Sequence, residues 1–265
     1  MSVIRHRIVG EGYPPILLVH GFGCACGDWD AQVAHLSPRH QTVAVDLPGH
    51  GETGAEPADC SIERYGAAVA ELLSALDLAG TVLVGHSMGC RVVTEAALQN
   101  PARVAGAVLV DGSRFAPAMR TVLRDAFARP DGYAALTETL FKDMFTARSD
   151  KATAAAVIER VRRLPRPIGE KMLIDLQRYD EHRLAASLGC LRVPVMAIQT
   201  TTRDETGRQT PLQPGQETPY LAMLRAAVPS VRMEIIPDTG HFPQLDEPTR
   251  TNALLDSFIA TLPGR

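Results

Sequence analysis

Along the first 112 residues, short runs that are apolar at every position alternate with longer stretches that are apolar only every third or fourth position. The uniform runs are Ile16-Leu17-Leu18-Val19, Thr42-Val43-Ala44-Val45, Thr81-Val82-Leu83-Val84 and residues 104–110. A strand that never alternates with polar residues is covered on both faces, which is the condition of a parallel sheet between layers of helix. The intervening stretches have the helical period. Residues 28–36 predict a helix carrying Trp29, and residues 61–78 one with Val69, Leu72, Leu73 and Leu76 on a single face and Ser61 as its N-cap. Residues 90–98 predict a third helix. Strands alternating with helices in this way predict an α/β fold with a parallel sheet and right-handed crossovers.

The alternation stops at Ser113. From there to about Arg192 no strand pattern recurs, and helical segments follow one another at 118–128, 133–145, 151–164 and 168–179. Four of the seven phenylalanines, Phe115, Phe127, Phe141 and Phe145, fall in this stretch. A parallel crossover needs only one helix. The surplus predicts a helical cap at 113–192 inserted into a core built from 1–112 and 193–265. The sheet pattern resumes at 193–199. A polar stretch follows from 200 to 218, then a helix at 220–228, a strand at 231–236, a loop holding Asp238-Thr239-Gly240-His241-Phe242, and an amphipathic helix at 248–262. Near the N-terminus Arg7-Ile8-Val9 is a short strand candidate.

Between the strand at 81–84 and the helix at 90–98 stands Gly85-His86-Ser87-Met88-Gly89. Strand, Gly-x-Ser-x-Gly, helix is the setting of a nucleophile elbow. So sharp a turn strains the serine backbone, and the flanking glycines leave room for it. The hydroxyl then stands clear of the sheet above a helix N-terminus, where backbone N–H groups can hold an oxyanion.

Composition narrows the function by exclusion. The chain has 265 residues, 45% hydrophobic and 22% charged, with a formal net charge of -3. That charge gives no electrostatic case for nucleic acid or an anionic membrane surface. No apolar run reaches the length of a membrane span, and the first residues lack the apolar core of a signal peptide, so a cytoplasmic protein is expected. Five scattered cysteines, Cys24, Cys26, Cys60, Cys90 and Cys190, do not form a disulfide framework. Cys24-Ala25-Cys26 has no second ligand pair and is expected to be loop filler rather than a metal site. No Gly-x-Gly-x-x-Gly opens a helix, and nothing calls for a metal or an organic cofactor.

With His20-Gly21-Phe22-Gly23, Asp46-Leu47-Pro48-Gly49-His50-Gly51, the elbow and Gly240-His241-Phe242 standing in this order, the chain resembles the α/β-hydrolase fold family, in its branch of small esterases, lactonases and carbon–carbon hydrolases. The resemblance covers nearly all of the chain except the cap. It implies a mostly parallel central sheet flanked by helices. It also implies Ser87 as nucleophile, His241 as general base, and the backbone N–H groups of Phe22 and Met88 as an oxyanion hole. His86 and His50 are expected to be structural. The short N-terminus implies that an edge strand is missing or reduced. If the cap covers the cleft, Phe141 and Phe145 are candidates for the pocket wall.

The triad acid is the point of departure from the family pattern. Relatives read glycine, two residues, aspartate after the strand at 194–199, whereas this chain reads Gln199-Thr200-Thr201-Thr202-Arg203-Asp204. Asp204, one residue late, is the preferred acid, and Asp111 at the end of the strand 104–110 is the alternative; both stand at the carboxyl edge of the sheet. The activity implied is a serine hydrolase cleaving a carboxylic ester or lactone of a small, largely apolar substrate through an acyl-enzyme. Two other readings stay open: a carbon–carbon bond hydrolase acting on a ring-cleavage product, and a hydrolase-like receptor. Oligomeric state is not legible.

Overall fold

The computed structural model describes residues 4–203 and 208–263. Its centre is a seven-stranded sheet made of β1 (Arg5–Val9), β2 (Ile16–Val19), β3 (Thr42–Asp46), β4 (Thr81–His86), β5 (Val104–Val110), β6 (Val195–Gln199) and β9 (Arg232–Ile235). Their order across the sheet is β1-β3-β2-β4-β5-β6-β9. All neighbours are parallel except β1, which runs antiparallel along β3 at the edge. One antiparallel edge strand thus precedes β2 in the chain.

Both faces of the central strands are covered, which is why β2 to β6 are apolar over most of their length, whereas the edge strands β1 and β9 are not. One face, with Leu17, Val19, Val45, Leu83 and Leu109, packs on α2 (Ile62–Ala75) and α3 (Met88–Gln99). The other, with Ile16, Leu18, Val84, Val108 and Ile198, packs on Trp29, on Val33 and Leu36 of α1 (Asp30–Leu36), and on Leu255 and Phe258 of α11 (Pro248–Ile259). Ser61 caps α2, its side chain accepting from the Arg64 N–H.

Five helices lie between β5 and β6: α4 (Met119–Phe127), α5 (Gly132–Lys142), α6 (Lys151–Arg163), α7 (Arg166–His182) and α8 (Leu184–Gly189). No strand is found in this stretch. Beyond β6 the polar segment is partly ordered as an antiparallel pair, β7 (Thr201–Arg203) and β8 (Gln209–Pro211), in which Arg203 is opposite Gln209. After it come α9 (Pro219–Ala227) and, behind β9, the single turn α10 (Pro243–Asp246). Among the described residues no helix is long and apolar enough to cross a membrane.

Candidate active site

Because β2 to β6 and β9 are parallel, their carboxyl ends share one edge, where an open α/β sheet gathers its ligands. Ser87 follows β4 there with φ 53° and ψ -112°, a strained conformation for a non-glycine residue. The turn is possible because its neighbours lack side chains. A Cβ on Gly85 would come within 2.3 Å of the Gly89 carbonyl oxygen, and one on Gly89 within 2.4 Å of that of Val19. The elbow is pinned to β5 by the Ser87 N–H, which donates to the Val110 carbonyl at 2.9 Å.

His241, on the loop after β9, is held at both ends of its own peptide. Its N–H donates to the Met144 carbonyl at 2.8 Å, and its carbonyl accepts from His86 Nε2 at 2.7 Å. The His86 ring lies 4.7 Å from the His241 ring, between centroids, and burial holds its pKa well below the ordinary histidine value. His86 is therefore a neutral support for the second histidine. The His241 ring itself is buried. Nδ1 lies 2.6 Å from Asp111 Oδ2, and Nε2 has no hydrogen-bond partner among the described residues.

Asp111 ends β5 with φ 43° and is wholly buried. Its Oδ1 accepts from Gln199 Nε2 at 2.8 Å, the Thr200 N–H at 2.7 Å and the Thr201 N–H at 2.9 Å. Its Oδ2 accepts from the Thr201 hydroxyl at 2.6 Å besides facing His241. So many donors satisfy an ionised carboxylate in a place where an unpaired charge would be very costly. Asp204, the preferred sequence candidate, lies outside the described residues. The carboxylate seen at His241 is that of Asp111.

The loop after β2 closes the other side. His20 fastens it: Nδ1 donates to the Gly21 carbonyl at 2.7 Å, and Nε2 accepts from the Leu47 N–H at 3.0 Å. Burial lowers the His20 pKa, which keeps the ring neutral as these two opposite roles require. Gly21 lies close enough to Ser87 that a Cβ there would be 3.2 Å from the serine Cβ. Among the described residues the N–H groups of Phe22 and Met88 have no protein acceptor.

Ser87, Met88, Phe22 and His241 line one cavity. Helices α5 and α7 contribute Leu140, Phe141, Leu173 and Leu176 to its wall, and Met144 joins them from the segment after α5. The segment between β5 and β6 thus lies over Ser87. Phe141 is in the lining and Phe145 is not; the Phe145 ring is stacked on Phe242, with centroids 4.9 Å apart and planes inclined by 11°. A second hollow shares Ser113, Phe115 and Arg203 with this cavity. Arg203 stands over the Phe115 ring at 5.5 Å, and burial lowers its pKa to about 10.

Several residues at this site escape a sequence reading. Gln199, Thr201 and Gln209 surround Asp111 and His241 from a stretch whose only visible property is polarity. Arg91 reaches back from α3 to the Ser87 carbonyl at 3.1 Å and pairs with Asp180 on α7, 89 positions away. No spacing rule links such positions, since their proximity is created by the fold.

A family model described as the alpha/beta hydrolase family matches residues 16–254. An uncharacterized protein of Mycobacterium tuberculosis is 30% identical over 271 residues, covering 96% of this chain and 77% of that protein. A pimeloyl-[acyl-carrier protein] methyl ester esterase of Methylococcus capsulatus is 30% identical over 263 residues, covering 95% of this chain and 96% of the esterase. Among solved structures, the enol-lactonase of Burkholderia xenovorans LB400 superposes with a TM-score of 0.80 at 23% identity, covering 97% of this chain and 96% of its own.

Proposed function

Since the chain belongs to the α/β-hydrolase family and is a hydrolase of that fold, we propose that it cleaves a carboxylic ester or lactone with Ser87 as nucleophile, His241 as general base and Asp111 as the acid of the triad. The observation that carries this reading is the His241 ring: bonded to Asp111 through Nδ1, unpartnered at Nε2, and sharing one cavity with Ser87. A serine hydroxyl becomes an effective nucleophile when a base takes its proton. His241 Nε2 accepts that proton as Ser87 Oγ bonds to the substrate carbonyl carbon, and Asp111 stabilises the imidazolium through Nδ1–H. The N–H groups of Phe22 and Met88 hold the oxyanion. Collapse of the tetrahedral intermediate breaks the bond to the alkoxide, which leaves with the proton returned by Nε2. Water then attacks the acyl-enzyme, gives a proton to the same nitrogen, and frees the acid and Ser87.

Residues 113–192 act in this reading as a cap whose apolar side chains select the acyl or alcohol group. Phe22, Phe115, Phe141, Met144 and Leu173 favour a small, largely apolar substrate. The methyl ester esterase that is 30% identical supports an ester over other bonds.

The test is active-site labelling beside turnover. A fluorophosphonate is expected to add once per chain, on the peptide that holds Ser87, and p-nitrophenyl esters to turn over many times. Ser87→Ala loses both. A wild type that resists the reagent, with ordinary esterase activity in Ser87→Ala, overturns the assignment. Faster cleavage of a vinylogous diketone acid than of any ester would move the reaction to a carbon–carbon bond.

A further inference from the structure

Gln209 brings a side-chain amide to the same ring nitrogen that faces Asp111. Its Nε2 position lies 2.7 Å from His241 Nδ1 and 2.6 Å from Thr201 Oγ1, while its Oε1 position has no partner among the described residues. The side chain is buried, and β8 holds it against β7, whose Thr201 is itself bonded to Asp111. Nδ1 carries one proton when His241 is ready to accept another at Nε2. A nitrogen that donates to Asp111 cannot accept from an amide N–H at the same time. The two ends of an amide are told apart by their partners, and here the ring N–H calls for the oxygen, while the Thr201 hydroxyl, which both donates and accepts, can face either end. Turning the amide over puts a carbonyl oxygen at the ring N–H and beside Thr201 Oγ1, whose one proton then goes either to it or to Asp111 Oδ2. Gln199 needs no such change: its NH₂ already meets Asp111 Oδ1 and the carbonyls of Gly112 and Thr201.

Resting on the triad reading above, we propose that Gln209 is a positioning residue for the general base. Its amide oxygen is a second acceptor for His241 Nδ1–H beside Asp111. It fixes the tautomer with the proton on Nδ1 and adds a dipole that favours the imidazolium. The site therefore has two places from which an acceptor reaches Nδ1, one at the end of β5 and one on the hairpin after β6. Asp111 fills the first and Gln209 the second. A carboxylate at 209 is then expected to serve as the acid when that at 111 is removed.

The experiment relocates the acid. Asp111→Asn alone is expected to lower p-nitrophenyl acetate turnover about 10⁴-fold, because an asparagine favours the wrong tautomer. Adding Gln209→Glu to Asp111→Asn is expected to recover at least about 100-fold of that loss. A double variant that is folded by circular dichroism and no faster than Asp111→Asn overturns the proposal. If the double variant does not fold, Gln209→Leu decides. Loss of the acceptor is expected to move the rising limb of its kcat/KM profile to lower pH, and an unmoved limb overturns the proposal. The other titratable groups around the ring are Asp111 on β5, His86 on β4 and Arg203 on β7, and Gln209→Leu leaves all three in place. Failure of the triad reading looks different: Asp111→Asn would then keep its activity and Ser87→Ala would keep turnover.

Discussion

Arg91 and Asp180 meet in a two-pronged ion pair, Nε to Oδ1 and Nη2 to Oδ2, each at 2.7 Å. The pair joins the helix that begins at the nucleophile elbow to α7, the longest helix between β5 and β6. The same guanidinium donates to the carbonyls of Ser87 and Ser113, and Asp180 also accepts from the Phe115 N–H at 2.8 Å. The side chains are 3% and 0% exposed. One buried pair thus ties the inserted segment to the elbow.

Removing one partner of such a pair leaves the other charged, buried and alone, at a cost of about 3–5 kcal/mol. Arg91→Met and Asp180→Leu are each expected to lower stability by that amount, read as the shift of a urea midpoint at constant slope. The double variant is expected to lose less than the two single losses together, because no orphan charge remains. Additive losses would show that the two side chains do not depend on each other.

Parts of this arrangement were legible in the sequence because their causes are local. The uniform runs at Ile16–Val19 and Val104–Val110 announce strands covered on both faces, and the two glycines that make the elbow possible, Gly85 and Gly89, lie within two residues of Ser87. The surroundings of the acid were not legible, because Asp111 takes its donors from Gln199, Thr200 and Thr201, nearly ninety positions downstream. A count of residues after β6 could weigh Asp204 against Asp111 but could not register those bonds. The hairpin of β7 and β8 escaped for another reason: three-residue strands of Thr, Arg, Gln and Pro have no apolar period. Phe145, a candidate for the pocket wall, stands outside the lining, because composition says that an aromatic is present and nothing about where its ring turns, which is onto Phe242.

The contrast between Phe141 and Phe145 sets a test of what chooses the substrate. Phe141 is 2% exposed, lines the cavity, and faces Phe22 with ring centroids 6.2 Å apart. Phe141→Leu makes room beside the loop that carries the Phe22 N–H. The ratio of p-nitrophenyl hexanoate to acetate turnover is expected to rise by about tenfold, the scale of one or two methylenes in an apolar pocket. Phe145→Leu is expected to leave that ratio within about twofold, on the same scale, and to lower stability through the lost stack on Phe242. Equal shifts in both variants would remove Phe141 as the determinant of chain length.

Buried neutral histidines make the fold sensitive to acid. His50 is pushed down to about 3, first by burial and then by its neighbour His20, whose ring is 5.2 Å away; Nδ1 keeps a bond to the Pro48 carbonyl and Nε2 has no partner. His20 and His86 are lowered too, chiefly by burial. In the unfolded chain each would titrate near pH 6.5. Between about pH 6.5 and 3 the unfolded state therefore binds a proton that folded His50 refuses, so stability rises with pH across this window and falls as acid is added. Within this window His50 withdraws about 1.4 kcal/mol for every pH unit below 6.5. Urea midpoints are expected to be flat from pH 8 to 7 and to fall steadily from pH 6.5 to 4. His50→Asn removes one of these groups. It is expected to flatten the acid slope by about 1.4 kcal/mol per pH unit, whatever it does to stability at pH 8. A slope unchanged by His50→Asn would mean that the ring already takes its proton in the folded protein, and that burial does not hold it neutral.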